Sequence, residues 1–399
     1  MSASPIVRDP SISSLIEQGY EVVVRGGYLL VLNVPYVSSE KVVRRGILVC
    51  NLAKTESPLG KPPHHQAWFV GEVPCYATGA PMEALIYQRG PIPLWDGCSA
   101  AAYFSNKPHG LTEFATYADK MLHYIGLIEA QAGVLEPGVT ARTRKEFSVV
   151  ESPTVFKYED MASVRASIVA VTEKLRAERI GLVGLGGTGS YILDLVAKTP
   201  VEEIHLFDGD RFKIHNAFRA PGAASKDDVA LEEPKVGYFA ARYAPMRNGI
   251  VTHFCNITKD NLALLDEMDF VFVSVDSGPA RRLICAYLQE EGIPFIDVGM
   301  DLQLNNEAIG LHGMFRVTLC TPEQSKHFFE CVPTYDEEKT EDVYRSNIQV
   351  ADMNMCNAAH AVICWKQYRH FYLEHKRSHH RVYSVFDHHL HLDITTECK

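Results

Sequence analysis

Residues 179–210, RIGLVGLGGTGSYILDLVAKTPVEEIHLFDGD, limit the folds open to this chain more than any other stretch. An apolar run from Ile180 to Val183 leads into Gly184, Gly186, Gly187 and Gly189. A helix-like segment follows, then a second apolar run from Ile204 to Phe207, which ends in Asp208 and Asp210. Gly184, Gly186 and Gly189 fit G-x-G-x-x-G between a strand and a helix. In that setting glycines permit a tight turn, close approach of a phosphate to the backbone, and close packing of helix on strand. Asp208 stands 19 residues past the last glycine, at the end of the second strand, where a carboxylate can accept hydrogen bonds from a ribose. Taken alone, this pattern is a dinucleotide fingerprint that NAD enzymes share.

The segment just downstream shifts the reading. DGDRFKIHNAFRAPG carries Asn216 and Arg219, and EEPKVGYFAAR carries Lys235. Two cations and an amide directly after the ribose acid do little for a nicotinamide, but they suit a charged triphosphate. A further strand, FVFVSV from Phe270 to Val275, ends in Asp276 and Ser277. Ligands of open α/β sheets sit at the carboxyl ends of strands, which places Asp276 to hold Mg2+ on those phosphates.

With 399 residues the chain is long for one core and suggests two domains. Residues 20–100 alternate short apolar runs with Pro- and Gly-rich breaks, the pattern of a small sheet. Leu111, Phe114, Ala118, Met121, Leu122 and Ile125 recur at helical period and predict a helix that covers it. Polar, Pro-containing sequence from Glu136 to Asp160 reads as a linker. The predicted domains are therefore 1–150, a smaller α+β unit, and 151–399, an α/β unit with a largely parallel sheet that opens on a helix over about Ala162 to Glu178.

Composition excludes some classes. A net charge of −10 argues against a general nucleic-acid or anionic-membrane binder, which needs a basic surface. No run of about 18 apolar residues exists to span a bilayer, and MSASPIVRDPSISS lacks a signal-peptide layout. The ten cysteines are scattered, so free thiols in a reducing cytoplasm are expected, and no C-x-x-C pair marks a structural zinc site.

From about Ala162 to Gln367 the sequence resembles the ThiF/MoeB-type adenylating enzymes, which include the ubiquitin-activating enzymes. The resemblance rests on the GxGGxG turn of Gly184 to Gly189, the D-x-D of Asp208 and Asp210, and Asn216 and Arg219 eight and eleven residues on. Lys235 and Asp276 complete it. One departure is that the family's Arg-Gln pair reads Arg219-Ala220 here, followed by Pro221-Gly222. The resemblance implies a Rossmann-like adenylation domain that uses ATP and Mg2+. Its substrate would be the C-terminal carboxylate of a ubiquitin-like or sulfur-carrier protein, and it would work as a homodimer. Asp208 is then assigned to the ribose, Asn216, Arg219 and Lys235 to the phosphates, and Asp276 to the metal.

Family members that form a thioester carry its cysteine in a long crossing segment, here about Thr321 to Asn347. Cys331 is the cysteine inside it, although Glu330, Asp336, Glu337 and Glu338 would raise its thiol pKa. Cys320, Cys356 and Cys364 read as small core residues. In the first domain a conjugating-enzyme-like module, with Cys75 as its cysteine, stands beside a plain partner-docking domain. His64, His65 and Cys75 fit turn and strand better than a metal site. The cluster His375, His379, His380, His388, His389 and His391 reads as a solvated helix end followed by a strand. Two alternatives to an activating enzyme stay open, an NAD-dependent oxidoreductase and a non-catalytic scaffold of the same fold.

Overall fold

The structure is a computed structural model. It describes residues 9–25, 27–52, 59–95, 97–144, 148–149, 154–158, 160, 163, 168–176, 178–305, 307, 309–334 and 348–397. Two compact units emerge, residues 1–154 with 158–173, and residues 155–157 with 174–399.

The first unit starts with helix α1 (Pro10–Glu17), capped by the Asp9 side chain on the Ser11 N–H. Its seven strands are β1 (Val22–Arg25), β2 (Tyr28–Val37), β3 (Val43–Asn51), β4 (Ala67–Val70), β5 (Ile86–Trp95), β6 (Cys98–Phe104) and β7 (Ser148–Val149). They lie in the order β5-β6-β4-β3-β2-β1-β7, antiparallel except where β7 joins β1. Helix α2 (Tyr117–Leu135) packs on this sheet, with Tyr117, Met121, Tyr124, Ile125 and Ile128 against Leu29, Val31, Leu48 and Phe104. It begins later than the hydrophobic stripe predicts. Thr116 and Asp119 form a reciprocal capping box, so Phe114 is buried ahead of the helix and Leu111 is exposed.

One position on α2 breaks the stripe. Lys120 is 1% exposed, and burial pushes its pKa down, the thiol of Cys50 acting weakly the other way. No carboxylate pairs with it in the described contacts. Lys120→Met, which keeps the stem and removes the amine, should therefore stabilise the protein by about 1 kcal/mol or more at neutral pH. A lower urea midpoint in that variant would contradict the reading.

The second unit is built from β8 (Arg179–Val183), α3 (Gly187–Val196), β9 (Glu203–Phe207), α4 (Ile214–Ala217), α5 (Lys235–Tyr243), β10 (Ile250–His253) and β11 (Phe270–Val273). It continues with α6 (Gly278–Glu290), β12 (Phe295–Asn305), β13 (Gly310–Cys320), α7 (Phe328–Cys331), α8 (Ala351–Tyr368), β14 (Lys376–Ser384) and β15 (His389–Glu397). The sheet order is β10-β9-β8-β11-β12-β13-β14-β15. Strands β10 to β12 are parallel, and from β12 to β15 each neighbour is antiparallel. This is the α/β class with a largely parallel sheet that the sequence predicts.

Apolar residues on both faces explain the near-continuous hydrophobic strands. Phe270, Phe272, Ile296 and Val298 face α3 and α8, while Val271, Val273 and Phe295 face α6 and α7. Of the helix predicted over Ala162 to Glu178, the described residues include helical Ser163, the four-residue α-helix Val169–Thr172 and the 3₁₀ turn Glu173–Leu175. The remainder lies outside the described residues. The histidine cluster differs from its reading, because residues 376–384 are strand rather than helix end, with His379 buried and His380 half-buried. Among the described residues no helix is long and apolar enough to cross a membrane.

Candidate active site

The glycine turn sits at the carboxyl ends of β8, β9 and β11, and each glycine has a separate reason to be there. Gly184 has φ +91°, and a Cβ on it would lie 2.6 Å from the Ser274 carbonyl oxygen. At Gly189 a Cβ would come within 2.0 Å of the Gly184 carbonyl oxygen. One on Gly187 would meet the Asn354 side chain at 2.2 Å. Gly186 is different, for nothing lies within 4 Å of its Cβ position. Gly186 also stands at the N-cap of α3 without a side-chain cap. A ten-residue helix thus begins without a side-chain cap beneath open space at Gly186, an arrangement suited to an anion.

The turn is fastened from two sides. The Ser274 hydroxyl donates to the Gly184 carbonyl at 2.7 Å. Asp208, 8% exposed, accepts from the Leu185 N–H at 2.7 Å on one oxygen and from the Asp210 N–H at 2.8 Å on the other. Lys235, the first residue of α5, lies 3.4 Å from Asp208 and 2.7 Å from the largely exposed Asp210. Its backbone N–H donates to the Asp210 carbonyl, which ties α5 to the D-x-D segment. The carboxylate expected at a ribose therefore also braces the glycine turn and the lysine.

Arg219 follows the one-turn helix α4. Asn216, which is buried there, accepts from the Lys213 N–H at 2.8 Å. The Arg219 Nε is buried without a hydrogen-bond partner. Burial pushes its pKa down, and the charge of Asp276 acts the other way. Asp276 itself is exposed, and Ser277 caps α6 by accepting from the Ala280 N–H at 3.4 Å.

His215 is a residue that the sequence reading missed. It is solvent-exposed, and its pKa is pushed down by partial desolvation and by the charges of Arg219, Lys235 and Lys213, against the pull of Asp210. Asn354 on α8 was also missed. It is buried, takes the Thr188 hydroxyl at 2.9 Å, and leaves its Nδ2 unpartnered against Gly187. Only the two asparagines in the apolar run ADMNMCNAAHAV hinted at it.

Cys331 stands apart from this group. It ends α7, and the cross-strand row Val273, Asp297, Thr318, His380, Asp393 leads from the carboxyl end of β11 to β15 beneath that helix. Four strand spacings make this about 19 Å. Much of the expected crossing segment, residues 335–347, lies outside the described residues. Burial, Asp393 and Glu330 push the Cys331 thiol pKa up, with Arg316 acting the other way. Cys320 and Cys364 are buried, with thiols pushed up to about 11, as core cysteines should be. Cys75 is buried as well. Its thiol donates to the Val73 carbonyl and packs with Val37 and Ala132, so it does not present the exposed sulfur of an acyl acceptor.

Comparison with known proteins gives two family matches. Residues 158–386 match the ThiF family, and residues 10–161 match a domain of unknown function, DUF6791. Ubiquitin-like modifier-activating enzyme 5 of Drosophila persimilis is 29% identical over 150 residues, 35% of this chain and 39% of the fly protein. The enzyme of the same name from Rattus norvegicus is 27% identical over 184 residues, 43% of each chain. The chain thus spans about two-fifths of the length of these curated relatives. Among solved structures, Escherichia coli MccB crystallised with succinimide superposes with a TM-score of 0.46 at 19% identity, covering 58% of this chain and 68% of MccB. PaaA gives a TM-score of 0.46 at 16% identity, covering 68% and 84%.

Proposed function

This chain belongs to the ThiF family of adenylating enzymes, and from that premise we propose that its second unit activates a carboxylate with ATP. The substrate we assign is the C-terminal carboxylate of a ubiquitin-like or sulfur-carrier protein; the curated relatives are named as activating enzymes for a ubiquitin-like modifier. The observation that carries the proposal is the glycine turn itself: Asp208 braces it at the Leu185 N–H, Lys235 lies 3.4 Å from that carboxylate, and α3 starts without a side-chain cap under the open space over Gly186. Lys235 and Arg219, following the D-x-D acids in the chain, do little for a nicotinamide, whereas they suit a triphosphate.

In the reaction a carboxylate oxygen of the carrier attacks the α-phosphorus of ATP. The bond from that phosphorus to the bridging oxygen breaks, and pyrophosphate leaves with the electron pair. No side chain need act as nucleophile, so the protein's part is to hold the reactants in line and to meet developing charge. Gly186 and the first N–H groups of α3 receive phosphate oxygens. Lys235 can swing from Asp210 to the phosphates, since one of its two partners is a solvent-exposed carboxylate. Arg219 offers a guanidinium whose Nε has no competing partner. We assign the ribose hydroxyls to the Asp208 and Asp210 pair, and the buried Asn216 to the phosphate loop. A divalent magnesium ion would neutralise phosphate charge. Asp276, an exposed carboxylate just past the end of β11, fits it as an oxygen donor, with Ser277 next in the chain. A second copy of the adenylation unit belongs to the same proposal.

The test is exchange of radiolabelled pyrophosphate into ATP in the presence of small carrier proteins encoded beside this chain. Exchange that depends on a carrier is the expected result, and no exchange with any carrier would count against the function. Asp276→Asn should shift the magnesium titration of that exchange to higher concentration. An unchanged titration would remove Asp276 from the metal's ligands.

A further inference from the structure

Strand pairing assembles a second group of chemically active side chains away from the nucleotide site. His380 on β14 lies opposite Thr318 on β13 and opposite Asp393 on β15, so the three project from the same face of the sheet. Helix α7 covers that face, because Phe328 and Val332 pack in the same cluster as Cys320. The Cys331 sulfur, a ring nitrogen of His380 and a carboxylate oxygen of Asp393 all lie within 4.8 Å of one another.

Among the described contacts no hydrogen bond or ion pair joins any two of these three donors. A triangle of that size puts its centre within about 2.8 Å of each atom, against metal bonds of ~2.0–2.3 Å, so a small contraction would bring all three onto one ion. The imidazole is already oriented. Its Nδ1 meets the Thr318 hydroxyl at 2.9 Å, and that hydroxyl also takes Arg316 at 3.3 Å, which leaves Nε2 for an ion. His327 lies one helical turn before Cys331. Its Nε2 donates to the Leu319 carbonyl at 3.0 Å, which helps hold α7 over the sheet.

We propose that Cys331, His380 and Asp393 bind a tetrahedral divalent transition metal, zinc by fit of donor set and size, with water in the fourth position. One thiolate, one imidazole and one carboxylate are a borderline donor set that favours zinc or cobalt over magnesium or calcium. The bound ion would pin α7 to β14 and β15. The proposal stands independently of adenylation, and it commits the Cys331 sulfur to the metal instead of to an acyl group.

Cobalt(II) is the probe. The full chain, stripped with chelator, is titrated with cobalt and then zinc. One equivalent of cobalt should give a thiolate charge-transfer band in the near ultraviolet with visible bands of tetrahedral intensity, and zinc should abolish both. Cys331→Ser should lose the charge-transfer band. Asp393→Asn, at an exposed position that folding does not need, should weaken binding by at least about tenfold. A wild-type chain without the band, or an undiminished band in Cys331→Ser, overturns the proposal. Pyrophosphate exchange on the same preparations separates the two readings, because exchange with no cobalt band sinks this site alone, and a band with no exchange sinks only adenylation.

Discussion

Arg219→Ala should lower carrier-dependent ATP–pyrophosphate exchange by about a hundredfold, some 3 kcal/mol of transition-state stabilisation, while its melting temperature stays near wild type. Two observations set these opposite outcomes for activity and stability. The guanidinium is half-buried, its Nε has no hydrogen-bond partner, and the described contacts give its side chain no structural bond to lose. Yet it closes the segment that carries Asp208, Asp210 and Asn216, and the charge of Asp276, the acid assigned to the metal, acts on it. A half-buried cation that the fold does not use is kept for something absent from the resting protein. Arg219→Lys should recover only part of the activity, because a point charge cannot match the planar fork on phosphate oxygens. Exchange at the wild-type rate in Arg219→Ala would remove the arginine from the reaction. A large fall in melting temperature would show that it holds the loop.

Gly189→Ala and Gly186→Ala should fail in opposite ways. At 189 the new methyl would sit 2.0 Å from a backbone oxygen and 2.4 Å from the Ser274 hydroxyl, and neither the turn nor β11 can step aside cheaply. A loss of about 4 kcal/mol or more is expected, enough to unfold much of the second unit near room temperature. At 186 the backbone has φ −71°, which alanine accepts, and nothing stands within 4 Å of the methyl. The fold should then survive with a cost near 1 kcal/mol or less. The methyl would occupy the space over the helix N-terminus, so ATP affinity should fall by at least about tenfold. Thermal melts and ATP binding on both variants read the contrast. Tight ATP binding by Gly186→Ala would place the phosphates elsewhere.

What the sequence disclosed follows from how far apart the interacting residues lie. The glycine turn, the acids closing the second strand and Lys235 are legible because each belongs to a short strand–turn–helix unit with fixed spacing. Helix α2 was legible as an apolar stripe, but its start was set by the side chains of Thr116 and Asp119, which a count of apolar residues does not weigh. Asn354 and its bond to Thr188 lay out of reach, since 166 residues separate them. The histidine cluster was misread in its secondary structure for a related reason. Residues 376–384 form a strand, and His380 comes opposite Asp393 only because a hairpin pairs strands that the local sequence does not show together.

The fastening of the glycine turn has a consequence for how the protein acquires its activity. The turn is held by Asp208, Ser274 and Asn354, partners 23, 90 and 166 residues distant from it in the chain. The hairpins β12–β13 and β14–β15 close short loops and can form early, but β8 must wait for β11, and α3 must wait for α8. The phosphate cradle is therefore among the last features that folding completes, and among the first that partial unfolding erases. A nascent or damaged chain cannot bind nucleotide with half a fold. Binding of nucleotide in turn draws the whole second unit toward its native state by mass action, so that the substrate acts as its stabiliser.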